Sequence, residues 1–440
     1  MPANSKELYQ EGAIIESELL YKEGVFQHDK VVDLLYTKPG QYPGCSGSRL
    51  LDDCISDLKA HASANNKGLI LMQNLINEFG LDVVHLYSNA IQKSAEAAVR
   101  DLLKIAYDRF GGEPLKAVDY LDDGTAIAVT ITIDREDGSA ILDFTESGDQ
   151  FYSNLNCPIA VLYGSILYVL RCLINVDIPL NSGCMQPLDI RVREGSLFMP
   201  SPDAAVAGSN VETAQRISDT LFKAFQACAA SQGTCNNFTF GSSDPQYGSF
   251  GYYETIAGGG GAGENFHGQS AVQVHTTNTR MTDSESFEKK FPCILRKYEI
   301  NRGTGGKGLY KGGDGVIREI EFTIPIEATC LMQRRVFAPY GINGGHPGKR
   351  GYNYWLKKLD DGSFKRVALG GQNTVFVKAG DRIRIETPSG GGWGVPIDEQ
   401  DGDKKSISEQ IHYPCIDAPF AKLSILTGSI GMKAITQTSN

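Results

Sequence analysis

Hydrophobic positions recur at helical spacing through residues 46–110. One stripe of apolar residues, three or four apart, defines a first helix: Leu51, Ile55, Leu58, Ala62, Leu69, Met72, Ile76 and Phe79. A second stripe follows: Tyr87, Ile91, Ala95, Ala98, Leu102 and Ile105. Gly80 is suited to end the first helix and Asp82 to cap the second. The pattern predicts a long helical hairpin.

The apolar period changes to two beyond residue 111. Residues 127–133 alternate large apolar with small or polar side chains, Asp137-Gly138 supplies turn chemistry, and the alternation resumes at 140–144. This pattern predicts a half-buried β-hairpin. The stretch from Pro158 to Ile174 is apolar on every side and predicts a buried helix. A second buried helix is expected from about Val211 to Ala230, after Ser209 and Glu212 at capping-box spacing.

Residues 231–395 are rich in glycine, with short strand-like runs between the glycine clusters. We therefore predict an α+β fold with three parts: the helical hairpin at 46–110, a β-hairpin plus buried helices at 120–230, and a β-rich region with glycine loops at 231–395. A polar tail follows at 396–440.

Composition narrows the class of protein. The net charge of −10 disfavours nucleic-acid binding, which depends on basic residues. The longest apolar run is too short for a bilayer span, so no membrane segment is expected. The 10 cysteines form no CxxC pair, and we expect them to be reduced in the cytosol.

Glycine motifs do not predict a nucleotide site here. Residues 258–263 and 303–308 both match GxGxxG, but neither precedes a predicted helix, so glycine-shaped turns are favoured. The chain has no GxxxxGK[ST], GxSxG or HExxH motif. No cofactor or metal site, and no catalytic residue, is assigned from motifs.

Several polar residues are candidates for ligand binding. The small residues 204–208 precede a helix start that could hold an anion or merely be capped. Two asparagines before the first buried helix could bind a ligand or satisfy that helix. His267 and His275 are the preferred functional histidines, and the segment after His275 could grip a carboxylate. The substrate-binding candidates are Asn154, Asn156, Asn210, Glu212, Thr213, Asn278 and Arg280.

A basic stretch begins at Arg334 and Arg335 and has no acidic residue up to Lys358. In an acidic chain it could hold an anionic substrate or phosphate, so both arginines are anion-binding candidates. The alternative is a solvated basic loop.

Several segments resemble the hydantoinase B/oxoprolinase family in sequence and order. They include GVFQHDKVVDLL, GSLFMPSPDAAVAGSNVETAQRISD, CNNFTFG, GYYETIAGGGGAG, HTTNTRMTD and GGKGLYKGGDGVIRE. The run from CSGSRLLDDCISDLKAHASANNKG to NEFGLDVVHLY is similar to the 5-oxoprolinase branch. The resemblance spans roughly residues 1 to 395.

This resemblance implies a function in part. Members of the branch use ATP to phosphorylate the lactam oxygen of 5-oxo-L-proline in a hydantoinase A-like half, and a B-like half then completes ring opening to L-glutamate. The A-like half and the family's His/Asp-rich metal motif are not matched here. The chain is thus expected to be a C-terminal part, inactive alone and forming homo-oligomers, with ATP, Mg²⁺ and any further divalent metal belonging to the complete enzyme.

Two alternatives stay open at this stage. The chain could be a subunit of an ATP-dependent hydantoinase or of a carboxylase similar to the acetone and acetophenone enzymes. It could also be a non-catalytic remnant that docks on a full-length homologue.

Overall fold

The computed structural model describes residues 2–277 and 279–399. It confirms the predicted α+β class, with mixed helices and sheets. Six α-helices occur in this described part: α1 (His28–Val32), α2 (Leu51–Phe79), α3 (Leu81–Arg109), α4 (Ile159–Leu173), α5 (Ala214–Ala224) and α6 (Ser284–Lys290). None of its helices is both long enough and apolar enough to cross a bilayer.

The strands of the described part form four sheets. The fifteen strands of this part are, in chain order, β1 (Tyr21–Lys22), β2 (Val25–Phe26), β3 (Leu115–Tyr120), β4 (Ala126–Ile133), β5 (Ala140–Asp143), β6 (Leu188–Arg191), β7 (Asn237–Ser242), β8 (Phe250–Glu254), β9 (Cys293–Asn301), β10 (Gly315–Phe322), β11 (Ile326–Leu331), β12 (Tyr352–Lys358), β13 (Phe364–Ala368), β14 (Gln372–Val377) and β15 (Arg382–Glu386). Strands β1 and β2 form a small separate ribbon.

One hydrophobic core joins helices to the sheet β3-β4-β5-β6. Strands β4 and β5 are the predicted hairpin, and β6 joins β5 in parallel. Val99 and Leu103 of α3, Ile166 of α4 and Ile217 of α5 pack into this core. Because β4 alternates inward and outward side chains, its period-two pattern predicted the buried face.

A second core lies between two antiparallel sheets. The five-stranded sheet has the order β13-β12-β15-β10-β9, and the four-stranded sheet has the order β14-β11-β7-β8. Phe238 and Phe240 of β7 meet Phe322 of β10 and Ile385 of β15 in a shared apolar cluster. The predicted β-rich region is therefore a packed pair of sheets.

Two predicted helices differ from expectation. Helix α4 buries only one face, since it packs against α5, and its Tyr163 is 43% exposed. The region after Gly208 begins with a π-helical turn at Ser209–Thr213, and α5 ends at Ala224 rather than near residue 230. No capping box forms, because the carboxyl of Glu212 turns inward instead of back to Ser209. Likewise Gly80, not Asp82, is the N-cap of α3.

The glycine clusters pack backbone against backbone. A Cβ on Gly259 would lie 2.1 Å from the Gly313 carbonyl, and one on Gly390 would lie 1.8 Å from the Gly260 carbonyl. These contacts are accompanied by hydrogen bonds from Gly313 N to Gly260 O and from Gly390 N to Gly313 O, both 2.9 Å. Close approach of three loops therefore explains why glycine occupies these positions.

The predicted division into 46–110, 120–230 and 231–395 stays a prediction. The tail at 396–440 falls almost entirely outside the described residues, which end at Glu399.

A candidate active site around a buried polar helix

Helix α5 is polar in sequence but buried in the fold. All of its residues except Lys223 are buried, among them Gln215, Arg216 and Asp219. Charged groups leave water at a large cost unless partners compensate them inside the protein. The elements around α5 must therefore supply countercharges, and they do so at one place.

The countercharges form a chain of two acids and two arginines. Nη2 of Arg334 donates to Asp219 at 2.9 Å and to Asp119 at 2.7 Å, and Nη1 of Arg216 donates to Asp119 at 3.3 Å. Burial alone would raise the pKa of Asp119, but Arg334 and Arg216 hold it below its ordinary value. Asp119 therefore stays ionised at the centre of the network.

His275 extends this network to the edge of the core. Its Nε2 lies 2.9 Å from Oδ1 of Asp219, and its Nδ1 lies 3.3 Å from the hydroxyl of Tyr168. Burial opposes ionisation of Asp219, but the hydrogen bond and charge of His275 and the charge of Arg334 lower its pKa to about 2. An ionised carboxylate only accepts, so Nε2 of His275 carries a hydrogen, and Nδ1 is the ring nitrogen that faces the Tyr168 hydroxyl.

The backbone around His275 is held in an uncommon conformation. His275 and Thr276 have φ of 38° and 37°, a region that non-glycine residues seldom adopt. Nε2 of Gln215 donates to the carbonyls of Val274 at 3.2 Å and His275 at 3.0 Å. Gln215 and Asp219 are four residues apart on one face of α5, so one helix fixes both the backbone and the ring of His275. Such local strain is typical of functional sites.

Glu212 places a third acid near the start of α5. Its Oε1 accepts a hydrogen bond from Asn237 at 2.5 Å, and Oε2 has no partner among the described residues. Tyr253, which is 44% exposed, donates to Oδ1 of Asn237 at 2.7 Å. Burial raises the pKa of Glu212 to about 8, against the opposing effects of Thr234 and the nearby arginine charges. Glu212 is therefore protonated near neutral pH, and a hydrogen-bond path joins it to the surface.

This arrangement can move protons. An imidazole that a buried carboxylate orients is suited to general-base catalysis, and a carboxyl with a raised pKa is suited to proton donation. The described residues contain no group of three or more His, Cys, Asp or Glu side chains placed to hold a metal ion.

Three of the predicted ligand-binding residues hold the chain's own backbone. The Nδ2 atom of Asn154 donates to Pro2 O at 2.9 Å, and Asn156 Nδ2 donates to Ser153 O at 2.7 Å. The hydroxyl of Thr213 donates to Leu155 O at 2.7 Å. Each side chain thus ties loops together at the start of α4 and α5, and a role in substrate binding stays a prediction.

The remaining candidates are scattered. Asn210 and Arg280 are exposed, and Asn278 lies outside the described residues. Arg334 is buried between Asp119 and Asp219. Both predicted anion-binding arginines therefore lie in the core rather than on a solvated loop.

The guanidinium of Arg335 is hydrogen-bonded to two amide side chains. It donates to Asn236 at 2.8 Å and to Asn353 at 2.9 Å. Any anion bound by either arginine would have to compete with these internal partners, and the anion-binding role stays a prediction.

The small residues before α5 do bind a carboxylate, and this carboxylate belongs to the chain itself. Glu11 accepts hydrogen bonds from the backbone of Val206 at 2.8 Å and Ala207 at 2.9 Å, and from Ser5 Oγ at 2.8 Å. Small side chains permit this approach, as the sequence indicated. The occupant is the chain's own N-terminal segment.

The sequence indicates His275 as a functional residue but not the residues that form hydrogen bonds with it. Asp219, Gln215 and Tyr168 lie in predicted buried helices, where they were treated as part of the helix pattern. Gln215, Arg216 and Asp219 lie on the polar face of an amphipathic helix, opposite Ile217 and Leu221, and the sequence does not show that this polar face is buried as well. Buried polar residues at such spacing indicate an internal network.

Comparisons with known proteins agree with the sequence resemblance. The hydantoinase B/oxoprolinase family model matches residues 1–396. The 5-oxoprolinase of Saccharomyces cerevisiae is 46% identical over 90% of this chain, which spans 31% of that protein's length. The chain thus spans about a third of the length of such relatives.

Two solved structures share the fold. Acetone carboxylase in its nucleotide-free form superposes with a TM-score of 0.74 at 16% identity, covering 90% of this chain and 58% of that one. An ATP-dependent caprolactamase from Pseudomonas jessenii gives a TM-score of 0.72 at 19% identity, covering 89% of this chain and 68% of that one.

Proposed function

Because the chain belongs to the hydantoinase B/oxoprolinase family, we propose that it forms part of a cytosolic, ATP-dependent 5-oxoprolinase of glutathione metabolism. The complete enzyme converts 5-oxo-L-proline to L-glutamate. The names and similarity of the 5-oxoprolinase relatives support this assignment. An A-like half, in the same longer chain or in a separate one, supplies the ATP site with its Mg²⁺. Any further divalent metal belongs to the complete enzyme, whose B-like half carries the His/Asp-rich motif near its beginning.

The observation that carries a role for this chain is the arrangement of Asp219, His275 and Tyr168. A lactam carbonyl is a poor electrophile until its oxygen receives a phosphoryl group. One water then adds to that carbon while Nδ1 of His275 takes a proton from the water. Cleavage of the C–N bond, with protonation of nitrogen, gives the amine and an acyl phosphate, and a second water replaces the phosphate. His275 is thus proposed as the general base.

The test combines this chain with the A-like half of a 5-oxoprolinase and measures ATP-dependent release of L-glutamate. We expect none from the chain alone and release from the mixture. His275→Gln should lower kcat by about 10²- to 10⁴-fold, the usual contribution of a general base. His267→Gln is the matched control, since His267 is exposed and its Nδ1 accepts only a backbone hydrogen bond from Lys311.

Other outcomes would contradict the proposal in distinguishable ways. Equal loss in both histidine variants would remove His275 from the mechanism. Product that requires bicarbonate would indicate a carboxylase. Tight association with the A-like half without gain of activity would favour a non-catalytic docking protein.

A further inference from the structure

Helix α4 has an uncovered face beside His275. The buried side chains of α4 all lie on its other face: Leu162, Ser165, Ile166, Val169, Leu170 and Leu173. The uncovered face carries Gly164, Tyr168 and Arg171, which are four and three residues apart and therefore form one stripe along two helical turns. Because the Tyr168 hydroxyl lies 3.3 Å from Nδ1 of His275, this stripe adjoins the proposed general base.

Arg171 is the cationic residue of the stripe. Its side chain is 28% exposed and lies 3.7 Å from Asp177, whose side chain is 93% exposed. An ion pair of this kind contributes little to stability, so a ligand carboxylate can replace Asp177 at small cost. Burial raises the pKa of Cys172 to about 11, against the hydrogen bond with Tyr168 and the charge of Arg171, which both lower it. The Arg171 guanidinium and the Tyr168 hydroxyl thus act on the same thiol.

The arginines inside the candidate site are engaged in a different way. Arg334 and Arg216 both donate to Asp119 in the core, and both side chains are fully buried. Arg280, which the sequence indicates as a substrate-binding residue, is exposed and follows His275 by five residues. Arg171 combines partial exposure with a position one helical turn from the tyrosine that contacts His275.

A glycine in the same stripe leaves space next to Tyr168. Gly164 lies in the interior of α4, where glycine is disfavoured relative to every residue except proline. Outside the backbone of its own helix, no described atom lies within 4 Å of a Cβ built on Gly164. Packing within the described part of the chain therefore does not require a glycine here. Since the residue is exposed, its missing side chain opens the surface one turn before Tyr168.

The proposed substrate matches the spacing of this stripe. In 5-oxo-L-proline only the ring nitrogen and Cα separate the carboxylate carbon from the lactam carbonyl carbon, so both groups fit within the about 5.4 Å of one helical turn. A guanidinium holds a carboxylate through two parallel hydrogen bonds. Because the Cα–Cβ bonds of a helix are tilted toward its N-terminus, a ligand held by Arg171 would lie over the turn of Tyr168 and Gly164.

We propose that Arg171 binds the carboxylate of the substrate and that Gly164 leaves room for its ring, so this face of α4 selects lactams that carry a carboxylate. The inference rests on the proposed function and assigns one subsite within it. The lactam carbonyl would then lie at the Tyr168 end of the stripe, next to His275.

Steady-state kinetics of L-glutamate release by this chain mixed with the A-like half test the subsite. Arg171→Gln should raise KM for 5-oxo-L-proline about 10- to 100-fold, the usual effect of losing a hydrogen bond to a charged group, with little change in kcat. His275→Gln should instead lower kcat, so the two variants separate binding from chemistry. Arg193→Gln is the matched control, because Arg193 is 43% exposed and also pairs with a surface aspartate, Asp149, at 2.6 Å.

Gly164→Leu separates substrate binding from folding. Leucine is a good helix former and no described atom occupies the space, so the Tm should not fall. KM should nevertheless rise at least about tenfold, because the leucine side chain would enter the space of the substrate ring. Gly68→Leu is the matched control: Gly68 is an exposed glycine inside α2, its Cβ would also meet nothing within 4 Å, and its variant should keep the wild-type KM.

Each contrary result has its own meaning. Glutamate release with an unchanged KM in Arg171→Gln would overturn the subsite and leave the proposed function standing. A rise in KM confined to Arg280→Gln would assign the carboxylate to Arg280 instead, and equal effects of Gly164→Leu and Gly68→Leu would remove Gly164 from the subsite. No glutamate from the wild-type mixture would contradict the proposed function and the subsite together.

Discussion

The distal part of the helical hairpin, residues 56–94 and here called the arm, and helix α5 invert the usual distribution of side chains in opposite ways. Residues 69–72 of the arm are four consecutive large apolar residues, all exposed, whereas Gln215, Arg216, Asp219 and Thr220 of α5 are polar and buried. Most globular proteins place such residues the other way round. In each region the exposure of the side chains is the reverse of what their polarity predicts.

The two inversions have different energetic consequences. Around α5, burial of charge is compensated by fixed partners, so removal of one partner leaves another charge unpaired inside the protein. In the arm, exposed apolar side chains contribute little to the folded monomer, and their removal costs little. The difference indicates that α5 is organised for chemistry within the chain and the arm for contact beyond it.

Asp219→Ala should have the largest effect on stability. The substitution removes the shared acceptor of Arg334 and His275 and leaves a buried guanidinium with one carboxylate fewer. We expect a loss of about 3–5 kcal/mol in the free energy of unfolding, measured by urea denaturation.

A surface acid provides the comparison for that result. The side chain of Asp177 is 93% exposed, so Asp177→Ala should change stability by no more than about 0.5 kcal/mol. Similar small effects in both variants would mean that the charges around α5 are solvated, and the proposed contrast with the arm would fail.

Local patterns in the sequence were sufficient to predict much of the fold. The hairpin of α2 and α3 and the pairing of β4 with β5 follow from periods of about 3.6 and two residues, which neighbouring residues set among themselves. Helix α4 differs, because an apolar composition on every side predicts full burial, whereas the packing of α4 against α5 decides which face is covered.

The candidate site depends on contacts that no local pattern encodes. Asp119, Asp219, His275 and Arg334 meet across as many as 215 residues of sequence. The sequence suggested His275 because histidine is uncommon and lies in a polar segment. It could not show that Asp219 orients the ring, because that depends on how α5 packs against the loop.

Glu212→Gln should sharpen the contrast through its pH dependence. The folded state raises the pKa of Glu212 from 4.5 to about 8, so folding favours the protonated acid. Wild-type stability should therefore be greatest below the unfolded pKa and fall as pH rises toward 8, by at most about 1.4 kcal/mol per pH unit. The glutamine side chain does not titrate, so the variant should lose this part of the pH dependence of its stability.

Urea denaturation of both proteins between pH 5 and pH 8 measures the difference. Asp219 does not interfere, since its lowered pKa of about 2 means that its contribution is lost only as pH falls below about 4. Parallel stability curves for wild type and Glu212→Gln would show that Glu212 is already ionised in the folded protein.

Leu75→Ala should have the smallest effect and gives the most direct comparison of the two regions. Leu75 is 45% exposed in the arm, and Leu221 of α5 is 1% exposed in the core. The same chemical change should cost about 2–5 kcal/mol at Leu221, where a cavity forms, and less than about 0.5 kcal/mol at Leu75.

The measurement must be made at concentrations where the chain is monomeric. Any association of chains through these exposed residues would make the cost of Leu75→Ala grow with concentration, because stability would then include the interface. The cost at Leu221 should not change in the same way, since that side chain is buried within one chain. A substantial cost at Leu75 in the dilute monomer would show that the arm packs internally, and the exposed apolar surface would then need no partner.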